Sequence, residues 1–401
     1  MATIEDTNPT DAALRAEVRD WLAVNWDGTL QPDADRWNPS AATIAWHRRV
    51  LEARWAVPTW PTDWFGRGLT QEQGDIIADE FTRVGAPGAR QDRSNLAANT
   101  IFDFASDTLK RELIPRLLTR EIGQCLLYSE PSAGSDLAGV RTRAERDGDD
   151  YVITGQKVWT SGAAYADYGM LLARTDWDVP KHQGLTFFFF PMKQAGVEVR
   201  PLRQITDEQH FNEVFISGAR VPAANILGGL NNGWRVLQTA LAYERSTMGD
   251  RPRGARRSST SDDLVALARQ YGRLGDPALR QDLAGTLALR KLNALNNARA
   301  KASLEQGTSS PIMSLGKLAM SRILHEEARL RTAIIGAETL LDGADYPAAD
   351  DANFLAFNAY FTSIGGGTDQ IQRNIISERV LGLPKEMEVD RNIPFRQVRS
   401  G

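Results

Sequence analysis

The sequence contains very little cysteine and very little histidine. Among its 401 residues there is one cysteine, Cys125, and the four histidines are His47, His182, His210 and His325. A single thiol forms neither an internal disulfide nor a cysteine-rich metal site, and the histidines have none of the spacings typical of metal ligands. We therefore expect no structural disulfide, no bound metal, and histidines that are simply packed or exposed.

The chain also has no strong excess of either charge. Its 47 basic and 51 acidic residues give a net charge of -4, which gives no indication of nucleic-acid or anionic-membrane binding. The N-terminus from Met1 to Asp11 carries acidic side chains and no basic one, unlike a secretory signal or a transit peptide. Together with the scarcity of cysteine, this pattern predicts a protein of the reducing cytoplasm.

Long hydrophobic runs are missing as well. The longest one, Leu185 to Met192 with four phenylalanines, is far shorter than the ~20 residues that a membrane-spanning helix needs. It is typical of a buried strand, so we expect no membrane span. The sequence has neither a GxGxxG fingerprint nor a βαβ alternation, which disfavours a Rossmann nucleotide-binding fold.

The periodicity of the apolar residues changes twice along the chain. Leu14, Val18 and Leu22 recur at the spacing of an amphipathic helix, and helical patterns fill the first part of the sequence. A period of two follows, and helical patterns then return. We therefore predict an α+β multidomain protein with an N-terminal helical domain (1–122), a middle β-barrel or sandwich domain (123–230) and a C-terminal helical bundle (231–401).

Turn and strand signals mark the middle domain. Asp147-Gly148-Asp149 precedes an alternating segment and predicts a hairpin. Several short apolar segments favour a barrel or sandwich: Tyr168 to Ala173, Leu185 to Pro191, Val197 to Val199 and Glu213 to Ile216. In the C-terminal domain, the basic, serine-rich segment from Arg251 to Asp263 predicts a mobile surface loop.

Two polar segments of the middle domain have the composition of ligand-binding turns. Leu126 to Leu137 is rich in small and hydroxyl-bearing residues, so its amides can approach a flat polar ligand; an ordinary turn is the alternative. Gly155 to Gly162 places Trp159 beside two hydroxyls. The ring can stack on an aromatic ligand while a hydroxyl bonds the edge of the ligand, and a core tryptophan is the alternative.

A glutamate interrupts an apolar helical stripe in the C-terminal domain. The stripe consists of Leu237, Leu241, Glu244 and Met248, which share one helix face. A carboxylate at that position must be paired, protonated or functional, because an unpartnered charge in a dry site is costly. Pairing with the adjacent Arg245 is the structural alternative to a catalytic role.

Three consecutive glycines lead into a predicted helix start at Thr368. Gly365, Gly366 and Gly367 permit a close approach of the backbone to a ligand and leave amide groups free to donate. The alternative is a flexible loop that the threonine caps.

In combination, these segments resemble the acyl-CoA dehydrogenase family along almost the whole chain. The run from Tyr128 to Asp136 is similar to the family's Thr-Glu-Pro-x-x-Gly-Ser-Asp signature, and Gly155 to Ser161 resembles its flavin-stacking strand. Phe211 to Phe215, followed by Arg220-Val221-Pro222, resembles the stretch that closes the β domain. Gly367 to Arg373 resembles the last FAD-binding helix. The order and separations of these segments make the resemblance specific.

The resemblance implies FAD as the cofactor. Ser129 stands where the family bonds the flavin pyrimidine edge, Trp159 where a ring lies against the isoalloxazine, and Ser161 where a hydroxyl reaches flavin N5. Ser135 stands where the family contacts the pantetheine of CoA. The further positions assigned to FAD are Tyr128, Ser135, Thr160, Arg280, Gln281, Thr368 and Gln370, of which the last two would hold the FAD of a dimer mate.

The position of the catalytic base departs from the commoner family pattern. Many members carry a glutamate where this chain has Gly366, but the class that includes isovaleryl-CoA dehydrogenase places it on an earlier helix, in a Leu-x-x-Glu-Arg context. Leu241 to Arg245 fits that context, so the resemblance implies Glu244 as the base. It also implies that the Gly366 amide donates to the developing enolate and that Tyr243 and Arg245 contact the substrate.

A second departure concerns the segments that bind the partner subunit's FAD. The family's Arg-x-x-Phe-Gly segment has only a distant counterpart at Arg269 to Gln281, which contains Arg280 and Gln281. The family's Gln-x-x-Gly-Gly-x-Gly segment is degraded at Ile334 to Glu338. The partner-FAD contacts are therefore the part of the implied site that this sequence supports least.

The implied reaction is the α,β-dehydrogenation of an acyl-CoA in fatty acid or lipid metabolism. Glu244 would remove the α-proton, the β-hydrogen would leave as hydride to flavin N5, and the electrons would pass to an electron-transferring flavoprotein. The resemblance also implies a homotetramer or dimer of dimers, and a heterotetramer remains open. A non-catalytic FAD-binding subunit of a heteromeric acyl-CoA dehydrogenase and an oxygen-using flavin oxidase or monooxygenase are the alternative functions.

The acyl group is expected to be bulky. None of the three glycines at 365–367 carries a side chain that would fill the space beside the α and β carbons. A thin straight chain would leave that space empty and lose about 0.8 kcal/mol for each methylene that is not buried. Branched or cyclic acyl-CoAs, including ones as bulky as steroid side-chain thioesters, are therefore expected to be the better substrates.

Overall fold

The computed structural model describes residues 10–33, 35, 37–248, 263–305, 313–341, 343 and 345–399. These residues divide into two units. The first lies within the spans Met1–Leu202, Gln209–Thr247 and Asp390–Gly401, and the second within Arg203–Glu208 and Met248–Val389. The last segment of the chain is therefore part of the first unit, although it follows the second unit in sequence.

The N-terminal part of the chain is helical, as the spacing of its apolar residues predicts. Its helices are α1 (Asp11–Asn25), α2 (Ala41–Glu52), α3 (Gln71–Val84), α4 (Gln91–Ser94), α5 (Leu96–Phe104) and α6 (Asp107–Leu118). Leu14, Val18 and Leu22 of the predicted stripe are at most 2% exposed and share a core with tryptophans from α2 and the loop after it. A capping box begins α3, where the Thr70 side chain accepts from the Gln73 amide and the Thr70 amide donates to the Gln73 side chain.

The middle of the chain forms a sheet. Its strands are β1 (Gln124–Leu127), β2 (Arg143–Asp147), β3 (Asp150–Ser161), β4 (Tyr168–Arg174), β5 (Leu185–Pro191), β6 (Val197–Leu202), β7 (Phe211–Pro222) and β8 (Ile226–Leu227). They are hydrogen-bonded in the order β6-β7-β3-β2-β4-β5-β8, and β1 pairs with β4. The predicted hairpin is confirmed, because β2 and β3 pair antiparallel up to Asp147 and Asp150. β6 and β7 extend beyond the predicted segments Val197 to Val199 and Glu213 to Ile216. The added length of β7 is paired, because this strand bonds β6 on one side and β3 on the other.

Strand β5 is buried on both of its faces. Phe187 and Phe189 of β5 pack in one core with residues of the N-terminal helices, whereas Phe188 and Phe190 pack in a second core. That second core is built from residues of several strands, among them β1, β3, β4 and β7. A strand that is buried on both faces needs apolar residues at every position, which explains the run of four phenylalanines. Cys125 also lies in the second core, where burial raises the pKa of its thiol and keeps it protonated and unreactive.

The C-terminal part of the chain is again helical. Its helices are α7 (Gly233–Met248), α8 (Leu264–Gln270), α9 (Pro277–Glu305), α10 (Met313–Ile335), α11 (Pro347–Ile364) and α12 (Asp369–Ile375). Of the predicted surface loop Arg251 to Asp263, all but the last residue lies outside the described residues. Asp263 itself caps α8 by accepting from the Val265 amide.

The helix–strand–helix order confirms the predicted α+β fold class. The three domain ranges 1–122, 123–230 and 231–401 stay a prediction. Across the described ranges, no helix combines the length and the apolar character that a membrane crossing would require. The same residues contain no group of three or more His, Cys, Asp or Glu side chains arranged to hold a metal ion.

Candidate active site

A bulge in β3 determines the position of Trp159. Lys157 pairs with Val214 of β7 and Thr160 pairs with Asn212, so two residues of β3 lie opposite one residue of β7. Trp159 has a φ of 60°, in the left-handed region that bulky residues rarely adopt. Its side chain is 61% exposed and meets the ring of Phe211 edge-on at 5.9 Å. The ring is therefore presented at the surface of the first unit, and the core alternative for this tryptophan is wrong.

Two half-buried serines lie near Trp159: Ser161 is close in sequence, and Ser129 lies beside the preceding residue, Val158, in the structure. Ser161 follows Trp159 by two residues, and the carbonyl of Ser129 accepts a hydrogen bond of 2.9 Å from the amide of Val158. In the described part of the chain, neither serine side chain makes a hydrogen bond. An exposed aromatic ring flanked by free hydroxyls suits a flat polar ligand that stacks on the ring and bonds through its edge.

Two other predicted cofactor residues are less accessible. Thr160 is fully buried, and its hydroxyl has no partner among the described residues. The ring of Tyr128 is 6% exposed and packs against Phe187 at 5.8 Å. These side chains therefore support the inner side of the segments that carry Ser129 and Trp159, and a direct role in cofactor binding stays a prediction for both.

A buried ion pair holds the Ser129 segment against β3. The side chain of Lys157 is fully buried, and its Nζ donates to Glu130 Oε1 at 2.8 Å, to the Tyr128 carbonyl at 3.0 Å and to the Leu172 carbonyl at 2.8 Å. Glu130 also accepts from the amides of Arg141 at 2.6 Å and Thr142 at 2.8 Å. Because both neighbours of Ser129 are bonded to Lys157, the position of Ser129 depends on this lysine.

The electrostatics of the pair follow from burial and mutual attraction. Burial opposes the charge of Glu130, but Lys157 and the hydrogen bonds outweigh it and hold the pKa of Glu130 below its ordinary value. Burial lowers the pKa of Lys157, and Glu130 offsets only part of that effect. The sequence analysis did not identify either residue as part of the site. The available signal was a lysine at an inward position of an alternating strand.

The Gly-Ser-Asp part of the first motif is a turn at the surface. Ser135 and Asp136 are exposed, and the Asp136 carboxylate accepts from Lys181 Nζ at 2.9 Å. A short 3-10 helix follows at Leu137–Gly139, and its Ala138 carbonyl accepts a hydrogen bond from the buried Arg174 side chain. Ser135 is thus accessible to a ligand, and the segment that carries it is bonded to the buried side chains of Lys181 and Arg174.

Helix α7 is present where the apolar stripe predicts it. Val236, Leu237 and Ala240 are buried on one face, and Glu244 lies one turn beyond Ala240 on that face. The side chains of Glu244 and Arg245 lie outside the described residues, so their roles stay predictions. One residue earlier, the hydroxyl of Tyr243 donates to Asp103 of α5 at 2.8 Å. Burial raises the pKa of Asp103, and burial together with this bond raises the pKa of Tyr243.

The second unit contains the glycine turn and the predicted start of its helix. Gly366 and Gly367 have φ values of 67° and 90°, which glycine adopts without strain. Thr368 caps α12, and its hydroxyl accepts from the Ile371 amide at 3.2 Å, which confirms the predicted helix start. Gln370 on α12 and Arg280 and Gln281 on α9 are exposed. Their proposed contacts with FAD stay predictions.

A polar network behind the glycine turn was not anticipated from the sequence. Asp369 accepts from Lys317 at 3.2 Å and from Ser321 at 2.8 Å. Ser321 also lies 3.1 Å from the hydroxyl of Ser363, which lies 2.6 Å from His325 Nε2. These contacts join α10, α11 and α12 and thereby fix the direction of the helix that Thr368 begins.

The chain matches models of one family in all three regions. Residues 8–121 match the N-terminal domain of acyl-CoA dehydrogenases, residues 125–216 the middle domain and residues 231–381 the C-terminal domain. The chain is 36% identical over 389 residues to the acyl-CoA dehydrogenase IpdE1 of Mycobacterium tuberculosis, covering 93% of this chain and 97% of that protein. The chain belongs to the acyl-CoA dehydrogenase family. It is an FAD-dependent flavoprotein oxidoreductase that acts on the CH–CH bond of an acyl-CoA.

Among the solved structures with the same fold are two whose names each give two proteins. The Tcur3481-Tcur3483 steroid ACAD superimposes with a TM-score of 0.71 at 27% identity, covering 94% of this chain and 99% of that chain. The ChsE4-ChsE5 complex from Mycobacterium tuberculosis gives a TM-score of 0.66 at 27% identity, covering 95% and 100% of the two chains. These likenesses confirm the family that the sequence motifs indicate.

Proposed function

We propose that this chain introduces an α,β double bond into an acyl-CoA and that Glu244 is the base that removes the α-proton. The observation that carries the proposal is the bulge in β3, which exposes Trp159 in a strained backbone conformation beside the hydroxyls of Ser129 and Ser161. Strain of this kind costs about 1–3 kcal/mol and persists where the surrounding structure enforces it, commonly at ligand sites.

The residues around the bulge fit an isoalloxazine ring. Trp159 offers an exposed aromatic face, and Ser129 and Ser161 offer free hydroxyls for the polar edge of the ring. Lys157 and Glu130 hold the Ser129 segment from inside the sheet. When bound here, FAD would supply the acceptor for the β-hydrogen. Thr368 and Gln370 are proposed to hold the FAD of a neighbouring subunit.

The proposed role of Glu244 follows from its place on α7. Leu237 and Ala240 of the same apolar stripe are buried, and a carboxylate that continues such a stripe in the sequence is proposed to be poorly hydrated. Desolvation raises a carboxyl pKa and makes the group a stronger base towards a weakly acidic α-proton. The Gly366 amide is proposed to donate to the enolate oxygen as its negative charge develops.

The residues next to Glu244 have different proposed tasks. The Tyr243 hydroxyl is already bonded to Asp103, so we propose that Tyr243 fixes α7 against α5 and contributes a wall of the substrate site. Arg245 is proposed to contact the substrate or to pair with Glu244. Ser135, which is exposed on the Gly-Ser-Asp turn, is proposed to bond the pantetheine of CoA.

The physiological setting forms part of the same proposal. An electron-transferring flavoprotein is the proposed acceptor of the electrons, in the cytoplasm, and the acyl group is proposed to be branched or cyclic. A homotetramer is one proposed assembly. Similarity to the Tcur3481-Tcur3483 and ChsE4-ChsE5 pairs favours the other, in which this chain assembles with a second, different chain.

Reduction of the bound flavin by substrate, without oxygen, tests the proposal. Glu244→Gln keeps the size of the side chain but cannot accept a proton, so we expect bound FAD to remain and reduction by acyl-CoA to slow by at least about 1000-fold. Gln238→Ala, on the exposed face of the same helix, is the matched control and should reduce at the wild-type rate.

Each possible outcome distinguishes between the candidate functions. Near-wild-type reduction of Glu244→Gln would make Glu244 a structural carboxylate and overturn its assignment as the base. A wild-type protein that binds FAD but is not reduced by any acyl-CoA would favour the non-catalytic subunit. Rapid reoxidation of the reduced enzyme by air would favour the oxygen-using alternative.

A further inference from the structure

The C-terminal segment Asp390–Val398 packs against the β-sheet unit. Phe395 is 1% exposed, and its amide donates to the Val179 carbonyl at 2.9 Å. The amide of Arg396 donates to the Trp177 carbonyl at 3.0 Å, and its side chain forms an ion pair with Asp178. These contacts anchor the segment on the loop after β4.

Arg174 links this segment to the Gly-Ser-Asp turn, which we define as residues 134–141. The Arg174 side chain is fully buried and donates to the Ala138 carbonyl at 2.7 Å and the Val140 carbonyl at 3.1 Å. Its guanidinium carbon lies 3.4 Å from the centre of the Phe395 ring. Within the described residues, no carboxylate contacts this buried cation. The guanidinium also donates to the Lys181 carbonyl at 3.2 Å and feels the more distant charges of Glu130, Asp136 and Asp176. The face of Phe395 adds a cation–π contact to these interactions.

Two further cations make the same connection. Lys181 Nζ lies 2.9 Å from Asp136 of the turn and 3.4 Å from Asp390 of the C-terminal segment. Arg141, the last residue of the turn, donates to the Val398 carbonyl at 3.3 Å and also faces the Phe395 ring at 4.9 Å. The turn is thus joined to the segment at its beginning, in its 3-10 helix and at its end.

We propose that the C-terminal segment Asp390–Val398 is a clamp that positions the Gly-Ser-Asp turn for acyl-CoA, with Phe395 as the main positioning residue. The proposal rests on the proposed function, in which Ser135 of this turn bonds the pantetheine. No strand passes through residues 134–141, and a short bridge between Glu130 and Ala133 lies just before them. Its conformation therefore depends on the cations that bind its carbonyl and carboxylate oxygens.

The clamp should affect substrate binding more than the chemical step. Glu244 and Trp159 lie on α7 and β3, which the C-terminal segment does not contact through any of the bonds described above. Without the Phe395 ring, water reaches Arg174, and the guanidinium no longer needs to donate to Ala138 and Val140. Ser135 then loses a fixed position, while the base and the flavin-stacking ring keep theirs.

The test uses the full-length, FAD-loaded enzyme with two clamp variants and a control. Phe395→Ala removes the ring over Arg174, and Asp390→Asn weakens the contact with Lys181. Gln397→Ala changes an exposed side chain of the same segment and is the control. We expect Phe395→Ala to raise KM for acyl-CoA about ten-fold, with kcat within about two-fold of wild type, as for a lost binding interaction.

A second measurement does not depend on activity. Hydrogen exchange should become faster in residues 136–142 of both clamp variants. The Gly139 amide is bonded to the Asp136 carbonyl within the turn, and the Arg141 amide is bonded to the Glu130 carboxylate beside it, so both bonds depend on the position of the turn. Exchange in β1 should not change. Asp390→Asn changes a partly exposed side chain, so it remains informative if Phe395→Ala does not fold.

The outcomes separate the clamp from the proposed function. If folded clamp variants match Gln397→Ala in both KM and the exchange of residues 136–142, the clamp is overturned. Faster exchange across the entire sheet also overturns it, because Phe395 would then support general stability only. If the wild-type enzyme does not turn over acyl-CoA, the proposed function fails, and the local exchange change alone decides whether the clamp exists.

Discussion

Replacing Lys157 with methionine removes the cation that faces the buried carboxylate of Glu130. Methionine fits the apolar space of the lysine chain but donates to neither Glu130, the Tyr128 carbonyl nor the Leu172 carbonyl. Leaving one partner of a buried pair uncompensated costs about 3–5 kcal/mol. At about 2–4 °C per kcal/mol for a large domain, Tm should fall by roughly 6–20 °C. Because Ser129 is held from both sides by this lysine, FAD content should fall as well.

The measurement is thermal unfolding of the variant together with its ratio of bound flavin to protein. The double variant Glu130→Gln, Lys157→Met serves as the control, because it also removes the buried negative charge. It should regain part of the lost stability, since the uncompensated carboxylate accounts for much of the cost. A single variant with a loss below about 1 kcal/mol, or a double variant that is less stable than the single one, would refute the reasoning.

The pH dependence of the same variant has a defined sign. In the wild type, the pKa of Glu130 is below its ordinary value, so this group stabilises the fold above its unfolded pKa of about 4.3 and loses that contribution as the pH falls. Without Lys157, burial dominates and raises the pKa of Glu130. Protonation of Glu130 then removes the buried, uncompensated charge of the variant. The difference in unfolding free energy between the variant and the wild type should therefore shrink as the pH falls from about 7 to about 4.

Three further predictions concern other parts of the molecule. Trp159→Ala should lose FAD while Trp159→Phe retains it, and the FAD-free forms of both should differ in stability from the FAD-free wild type by less than about 1 kcal/mol, because the ring is 61% exposed; absorbance ratios and Tm check this. Gly366→Ala should lower kcat/KM for a ring-bearing acyl-CoA relative to a short straight chain, and a wild-type preference for the straight chain would contradict the expected bulky substrate. Burial, assisted by Arg120, lowers the pKa of His47 from 6.5 to about 4. Its charging therefore opposes folding, so stability should fall as the pH drops from 6.5 towards about 4, and His47→Gln should flatten that part of the denaturation profile.

The arrangement of helices and strands was largely predictable from the sequence. The one-sided stripe at Leu14, Val18 and Leu22 predicts α1, because residues three or four apart lie on the same face of a helix and can be buried together. The run of phenylalanines predicts β5, because a short run of consecutive apolar residues is typical of a strand buried on both faces. The length of β7 was underestimated because the strand contains polar residues such as Asn212 and Ser217. Such residues fit a strand when they face outwards or bond the neighbouring strand, and this depends on strand pairing, which composition does not reveal.

The motif resemblance selected the residues of the candidate site, but it did not give their geometry. The motif resemblance identified Trp159, yet its exposure results from a bulge that depends on the register between β3 and β7. The inward position of Lys157 on an alternating strand was a signal in the sequence, but its pairing with Glu130 was not, because Glu130 lies on a different segment and their contact is a tertiary property. For Phe395 there was no signal at all, since a phenylalanine near the end of a chain is unremarkable until Arg174 is found beneath it.

The left-handed backbone of Trp159 has a consequence for how this protein would change under artificial selection. Glycine or asparagine at that position would relax the backbone by about 1 kcal/mol, and little packing would be lost because the ring lies mostly in solvent. In a library screened for heat resistance alone, such substitutions should therefore be enriched, and flavin binding would decline as resistance improved. The tryptophan should be retained only in a screen that selects for the bound cofactor. The residue found at position 159 therefore indicates whether a mutant population is selected for turnover or only for thermal stability.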